Sequence, residues 1–229
     1  EPLQNSLPYI DKVLEAFHIP KLYKDGFEAD DVIGTIAKEA EKKGFKVFMM
    51  TPDKDFAQLV SDNIFMYRPA NKWQSASVLG VPEVLNKFKI QKIDQVIDFL
   101  AMTGDAADNI PGIPGVGEKT AQKFIQEYGS IEGLFKNSHR LKGKIKEKVD
   151  SSRDLALLCK ELVTIITDVP LEFNLEEMQM QEQDDEAIQQ LFSELEFTNL
   201  LKRVLKKGKQ EQLKLNKKSQ TTQIDLFTE

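Results

Sequence analysis

The chain has a single cysteine, Cys159, and only two histidines, His18 and His139, in 229 residues. One cysteine cannot close an internal disulfide, which fits a reducing compartment. Cys159 lies in LALLCKEL with no base near it in sequence, so it reads as a buried structural thiol rather than a nucleophile. Neither histidine falls in a motif, so nothing points to an imidazole general base. No apolar run approaches the roughly 20 residues of a membrane span, and EPLQNSLPYI has neither the charged nor the apolar segment of a signal peptide. The expected place is the cytoplasm, with no membrane partner. An excess of positive charge is also missing: 31 Lys and Arg against 37 Asp and Glu leave a net charge of −6. That argues against coating nucleic acid by bulk electrostatics. The chain starts at Glu1 and enters a helical pattern at once (Leu7, Ile10, Val13, Leu14, Phe17), so the expectation is a chain that has lost an N-terminal portion.

The charge that is present is unevenly placed. The segment KNSHRLKGKIKEK, from Lys136 to Lys148, is basic. Residues from Glu172 to Glu196 are acidic, and those from Lys202 to Lys218 are basic again. A lysine-rich helix face is usually just solvated, but a cationic strip beside an acidic metal site is what a metal-dependent nuclease needs.

Apolar residues Ala29, Val32, Ile33, Ile36, Ala37 and Ala40 recur at steps of three and four before Gly44, which predicts an amphipathic helix over Ala29 to Lys43 facing a sheet. FKVFMM, Phe45 to Met50, predicts a buried strand before Thr51-Pro52, and NIFMY, Asn63 to Tyr67, a second. Alternation of helix and strand implies a mostly parallel α/β sheet with flanking helices. From Val81 onward the spacing is helical: Pro82 to Phe88, Ile93 to Met102, Glu118 to Tyr128, Ile131 to Phe135, Ile145 to Val163 and Asp185 to Leu205. The expected division is an α/β domain over 1–88, a helical domain over 89–205, and a polar tail over 206–229 with too little apolar surface to stay folded.

Three acidic clusters carry the chemistry. Glu28, Asp30 and Asp31 open the first predicted helix, where free N–H groups and the helix dipole favour negative charge. Capping needs one oxygen, and crowding three acids is unfavourable unless a cation neutralises them. Asp53 and Asp55 follow the strand ending at Met50, and open α/β sheets bind ligands at the C-terminal ends of strands. Their bland alternative is an Asp-opened turn after Pro52. Asp105 and Asp108, three apart, would share a face in a helical turn. They run into NIPGIPGVGEKTAQKF, where Gly112, Gly115 and Gly117 allow positive φ and close approach to a ligand while Pro111 and Pro114 stiffen the turn. The helix starting near Glu118 offers N-terminal amides to a phosphate. Lys119, Thr120 and Lys123 are the expected phosphate contacts in this sequence-independent grip on a DNA backbone.

GFEADDVIGT, TPDKDFAQLV and GDAADNIPGIPGVGEKTA, in that order, resemble the 5′ nuclease domain of bacterial DNA polymerase I, in the flap endonuclease superfamily. The resemblance covers Ser6 to Leu205. It implies a PIN-like α/β domain joined to a helical domain with a helix-three-turn-helix element, and hydrolysis of 5′ ends, flaps and nicked duplex during replication and repair. It also implies metal ligands at Glu28, Asp30, Asp31, Asp53, Asp55, Asp105 and Asp108, serving two or more Mg2+ or Mn2+ ions, with K+ at the hairpin. Asp31, Asp53 and Asp55 are expected nearest the reacting phosphate, with Asp105 and Asp108 on a looser second ion. Family members place further metal-binding aspartates on a first strand and before a helical arch. Neither is in this chain, so the 229 residues alone are expected to be inactive.

Two other classes compete. A non-catalytic DNA-binding module would use the hairpin and the Lys136 to Lys148 strip, but carboxylates beside a phosphate backbone would weaken it. A small-molecule phosphatase built on the D-x-D of Asp53 and Asp55 would have no use for the hairpin. In the tail, Gln223, Ile224, Asp225, Leu226 and Phe227 (QIDLF) resemble the peptide by which bacterial proteins dock on the sliding clamp, with Leu226 and Phe227 as apolar anchors. A monomer is expected.

Overall fold

The computed structural model describes residues 2–70, 72 and 75–205, so the QIDLF segment at 223–227 lies outside the described residues. Two compact units divide the chain: Tyr23–Leu171 forms one, and the residues before Tyr23 join those after Leu171 in the other. In the second of these, α1 (Pro2–Ala16) packs on a helix over Asp185–Glu194, α9 in chain order, through Ala16, Ile188, Leu191 and Phe192. The helix expected over Asp185 to Leu205 is interrupted. It stops at Glu194, Glu196 takes φ +57°, and helical backbone resumes at 198–205.

The larger unit begins with α2 (Ala29–Lys42), which matches its predicted span to within one residue. Gly44, at φ +84°, ends it: Gly44 N–H donates to Glu41 O (2.9 Å) and Phe45 N–H to Ala40 O (3.0 Å), a left-handed closure that glycine adopts without cost. Strand β1 (Val47–Met50) pairs in parallel with β2 (Ile64–Arg68), and β2 pairs antiparallel with β3 (Ser77–Leu79), in the order β1-β2-β3. β1 corrects the expected buried strand, because among the described residues it is an edge. Met49 faces the core while Phe48 and Met50 are 55% and 70% exposed, and Phe48 stacks on Phe65 at 5.3 Å.

After β3 come α3 (Val81–Phe88), α4 (Gln95–Thr103), α5 (Glu118–Tyr128) and α6 (Ile131–Lys136). The single helix expected over Ile145 to Val163 is two, α7 (Gly143–Ser151) and α8 (Arg153–Leu162). The break falls at the Ser151-Ser152 pair, where hydroxyls compete for backbone groups; Ser151 Oγ donates to Lys148 O at 3.2 Å. One apolar core runs from Ala37, Met49 and Ile64 through Leu100 and Met102 to Ile125, Leu134 and Cys159, so residues on both sides of position 89 share it.

Inside that core sits a charged network. Asp98, 5% exposed, accepts from Lys160 Nζ (2.8 Å) and Ile131 N–H (3.1 Å), and Lys160 also reaches Glu132 at 2.8 Å. Removing one partner leaves the other charge desolvated and unpaired. Asp98→Ala should therefore destabilise the chain by about 2 kcal/mol in urea unfolding, below the fully buried range because Lys160 keeps its bond to Glu132 and reaches water.

Candidate metal centre and nucleic-acid interface

The acidic clusters converge at the C-terminal end of β1. Thr51-Pro52 leads out of the strand; Asp53 N–H donates to Thr51 Oγ1 (3.1 Å), and Asp55 N–H donates to Asp53 Oδ1 (3.0 Å). Asp53 thus makes the turn and also lines the acidic cleft described below. The 3-10 turn Asp55–Leu59 then drops Asp55 into the interior, where it is 8% exposed.

Asp105 and Asp108 do not share a helical face. α4 ends at Thr103, and a tight loop follows, closed by paired bonds between Asp105 and Ile110 (2.8 and 2.7 Å) with Asn109 at φ +58°. Two glycines set this loop. Gly104 (φ +72°) and Gly112 (φ +65°) lie backbone against backbone, so a Cβ on Gly112 would stand 2.5 Å from Gly104 N. Gly104 was not singled out from the sequence. Gly115 has the expected positive φ of +82°, but Gly117 does not: it is the extended N-cap of α5 at φ −95°, with nothing within 4 Å of an added Cβ.

Among the described residues, Asp55, Asp105 and Asp108 offer carboxylate oxygens that all lie within 4.8 Å of one another. Oδ1 of Asp55 is buried with no hydrogen-bond partner. A buried carboxylate oxygen without a donor is costly, and hard oxygen donors at this spacing suit a divalent cation. Both facts fit a metal at this triad. A cleft of about 910 Å³ adjoins it, lined by Glu28, Asp30, Asp31, Asp53, Asp55 and Asp108 on one side and by residues 161–166 on the other.

The seven acids are not equivalent. Asp31 has both oxygens engaged by backbone, Oδ2 by Glu28 N–H (3.3 Å) and Oδ1 by Ile166 N–H (2.8 Å), which ties the start of α2 to the segment after α8. Burial pushes Asp55 up to about 6, helped by Asp53, Asp105 and Asp108 and opposed by Lys54. Burial and the charges of Asp53, Glu28, Asp31 and Asp108 also raise Asp30. Asp105 moves the other way, because Lys54 Nζ lies 2.8 Å from its Oδ2 and Ala107 N–H donates to its Oδ1. Lys54, between the two aspartates of the D-x-D, is a site residue that the acidic pattern hid.

On the hairpin side, Lys119 and Lys123 are exposed on α5, and Thr120 is half-buried. The basic strip contributes one member that sequence did not place: Lys148 lies over Gly115, whose added Cβ would come within 2.6 Å of its Nζ.

Two family models match the chain, the 5′-3′ exonuclease N-terminal resolvase-like domain over residues 1–89 and the 5′-3′ exonuclease C-terminal SAM fold over residues 91–186. The 5′-3′ exonuclease of Aquifex aeolicus is 38% identical over 204 residues, 89% of this chain and 68% of that protein. The chain belongs to the 5′-3′ exonuclease family. DNA polymerase I of Caldicellulosiruptor bescii is 36% identical over 204 residues, 88% of this chain. The match covers 24% of that polymerase, so the chain spans about a quarter of such relatives. Among solved structures, the T5 5′-exonuclease with bound zinc ions shares the fold at TM-score 0.59 and 23% identity, over 69% of this chain and 59% of that one. No helix among the described residues is long and apolar enough to cross a membrane.

Proposed function

We infer that this chain holds DNA at 5′ ends, flaps and nicks and supplies most of a divalent-metal site for hydrolysing its phosphodiesters, as the nuclease part of a DNA polymerase I type protein in replication and repair. The observation that carries this reading is the approach of Asp55, Asp105 and Asp108 to within 4.8 Å, with a buried, unpartnered Asp55 oxygen among them. A phosphodiester carries a full negative charge, and three carboxylates would repel it unless a cation stood between them.

The proposed complement is two or more Mg2+ or Mn2+ ions, which when bound supply a water of lowered pKa and neutralise charge on the phosphoryl oxygens. Asp55, Asp105 and Asp108 are the direct ligands in this proposal, and Glu28, Asp30 and Asp53 act across the cleft through water. Asp31 holds the start of α2 in place through its two backbone bonds. Gly112, Gly115 and Gly117 present backbone to the phosphates, with Lys119, Thr120 and Lys123 as contacts and K+ as the hairpin's counter-ion. Residues 1–88 are assigned the α/β nuclease part and 89–205 the helical DNA-gripping part, which also lends Asp105 and Asp108 to the metal site, a division supported by the family matches on either side of residue 90. The protein is proposed to act as a cytoplasmic monomer, with Gln223 to Phe227 as the segment that meets a sliding clamp.

Fluorescence anisotropy with a labelled 5′-flap duplex in Ca2+ tests the reading. The wild type should bind the flap duplex in preference to blunt duplex, and Lys119→Gln with Lys123→Gln should weaken binding about tenfold at low salt, one to two phosphate contacts' worth. Equal binding of all duplexes, or turnover of p-nitrophenyl phosphate in place of DNA binding, would favour the competing classes.

A further inference from the structure

One side chain joins the buried aspartate of the carboxylate triad to the opposite wall of the cleft. Gln58, in the 3-10 turn that starts at Asp55, donates through Nε2 to Asp55 O (2.9 Å) and to Val163 O (2.8 Å), while its Oε1 accepts from Ile165 N–H (3.0 Å). Both donors and the acceptor of the amide are thus used. The bond to Asp55 O is an ordinary closure of the turn. The other two reach residues 105 and 107 positions away, which line the cleft across from the acids.

That wall, residues 163–169, lies outside helix and strand, so side chains set where it sits. Asp31 Oδ1 accepts from Ile166 N–H (2.8 Å) and Thr35 Oγ1 from Val169 N–H (3.1 Å). Ile165 closes on Gly34 of α2, where an added Cβ would stand 2.8 Å from its Cγ2. Asp55, in turn, is pinned on both flanks: its N–H donates to Asp53 Oδ1 (3.0 Å) and its carbonyl accepts from Gln58. Its Oδ1 is buried with no donor among the described residues, so the backbone of the turn has to keep that oxygen at the triad.

We propose that Gln58 is a positioning residue for the metal site: it braces the Asp55 backbone against residues 163–165, so that the place of the Asp55 carboxylate and the width of the cleft are fixed together. The brace rests on the metal reading above and adds to it the group that holds the buried ligand in place. Gln58 itself meets no ion. Loss of such outer support lowers metal affinity about tenfold or more. By reciprocity, a bound ion strengthens the brace by the same factor.

The test is the Mn2+ affinity of the 229-residue chain, read by electron paramagnetic resonance with urea stability measured beside it. Gln58→Met keeps the length and bulk of the side chain without its amide, and should weaken Mn2+ binding about tenfold. Thr35→Val removes the acceptor of the buried Val169 N–H at the far end of the same segment. It should lose stability yet keep its Mn2+ affinity within about twofold of wild type. Equal loss of affinity in the two variants, or none in Gln58→Met, would overturn the brace. Should Gln58→Met fail to fold, amide exchange in the wild type decides: saturating Mg2+ should slow the Ile165 N–H about tenfold and the Val169 N–H less than about twofold. Ile165 exchange that ignores the ion would sink the proposal. A wild type that binds no Mn2+ removes the metal reading and the brace together, whereas wild-type binding left unchanged in Gln58→Met removes the brace alone.

Discussion

Gly112→Ala should come close to unfolding this protein, although the residue carries no side chain and no charge. Its φ of +65° costs an alanine about 1–2 kcal/mol. The added Cβ would also stand 2.5 Å from Gly104 N, 2.7 Å from Thr103 C and 2.8 Å from Met102 O. Those are backbone atoms in the last turn of α4, where Ile113 N–H donates to Met102 O and Gly104 N–H to Leu100 O, so nothing can rotate away. Overpacking of this kind adds about 1–3 kcal/mol, and a total of roughly 2–5 kcal/mol is a large share of a domain's usual margin. Gly117→Ala is the control. With φ −95° and open space it should change urea stability by less than about 0.5 kcal/mol, while weakening DNA binding if the backbone there meets a phosphate. Equal stability of the two variants would contradict the backbone contact between Gly104 and Gly112.

Asp55→Asn should stabilise the metal-free chain and abolish its stabilisation by metal. Asp55 is 8% exposed and its carboxyl is pushed up to about 6. A carboxyl whose folded pKa exceeds its unfolded value favours the fold when protonated. That contribution is complete below about pH 4 and is lost as pH rises through about 6. In EDTA near neutral pH the ionised Asp55 is therefore a burden, and an amide that donates to the adjacent carboxylates should add about 1 kcal/mol, less than full linkage because solvent in the open cleft screens the charges. With Mn2+ at about 100 times its dissociation constant the wild type gains about 2.7 kcal/mol, the variant gains nothing, and their order reverses. By the same sign, metal binding should weaken as pH falls through about 6. An Asp55→Asn protein less stable than wild type in EDTA would contradict this electrostatic account.

Helices with clear punctuation were readable from sequence. α5 has its predicted bounds because Gly117 and Gly129 flank one apolar stripe, and α2 does because Gly44 stops it. The three acidic clusters and their order were equally legible, since each lies at an element boundary. Spacing misled where two geometries share it: Asp105 and Asp108, three apart, suit a helical turn and also the loop closed by the Asp105–Ile110 bridge. Gly104, whose need for positive φ arises only against Gly112, carried the decisive signal. β1 is apolar on both faces, and four residues cannot say whether both are covered; β3, three residues long, lies below any periodicity. Lys54 and Lys148 entered the site through tertiary proximity, and so did the tie that Asp31 makes between segments, because Ile166, 135 positions away, donates to it.

The proposed metal site depends on Asp55, Asp105 and Asp108 together holding a divalent ion. Mn2+ titration of the 229-residue chain followed by electron paramagnetic resonance tests it without requiring catalysis. Saturable binding that is lost in Asp55→Asn, Asp105→Asn and Asp108→Asn alike, and retained in Asp31→Asn, is the predicted result. Binding that survives all three substitutions, or no saturable binding in the wild type up to millimolar Mn2+, would contradict it.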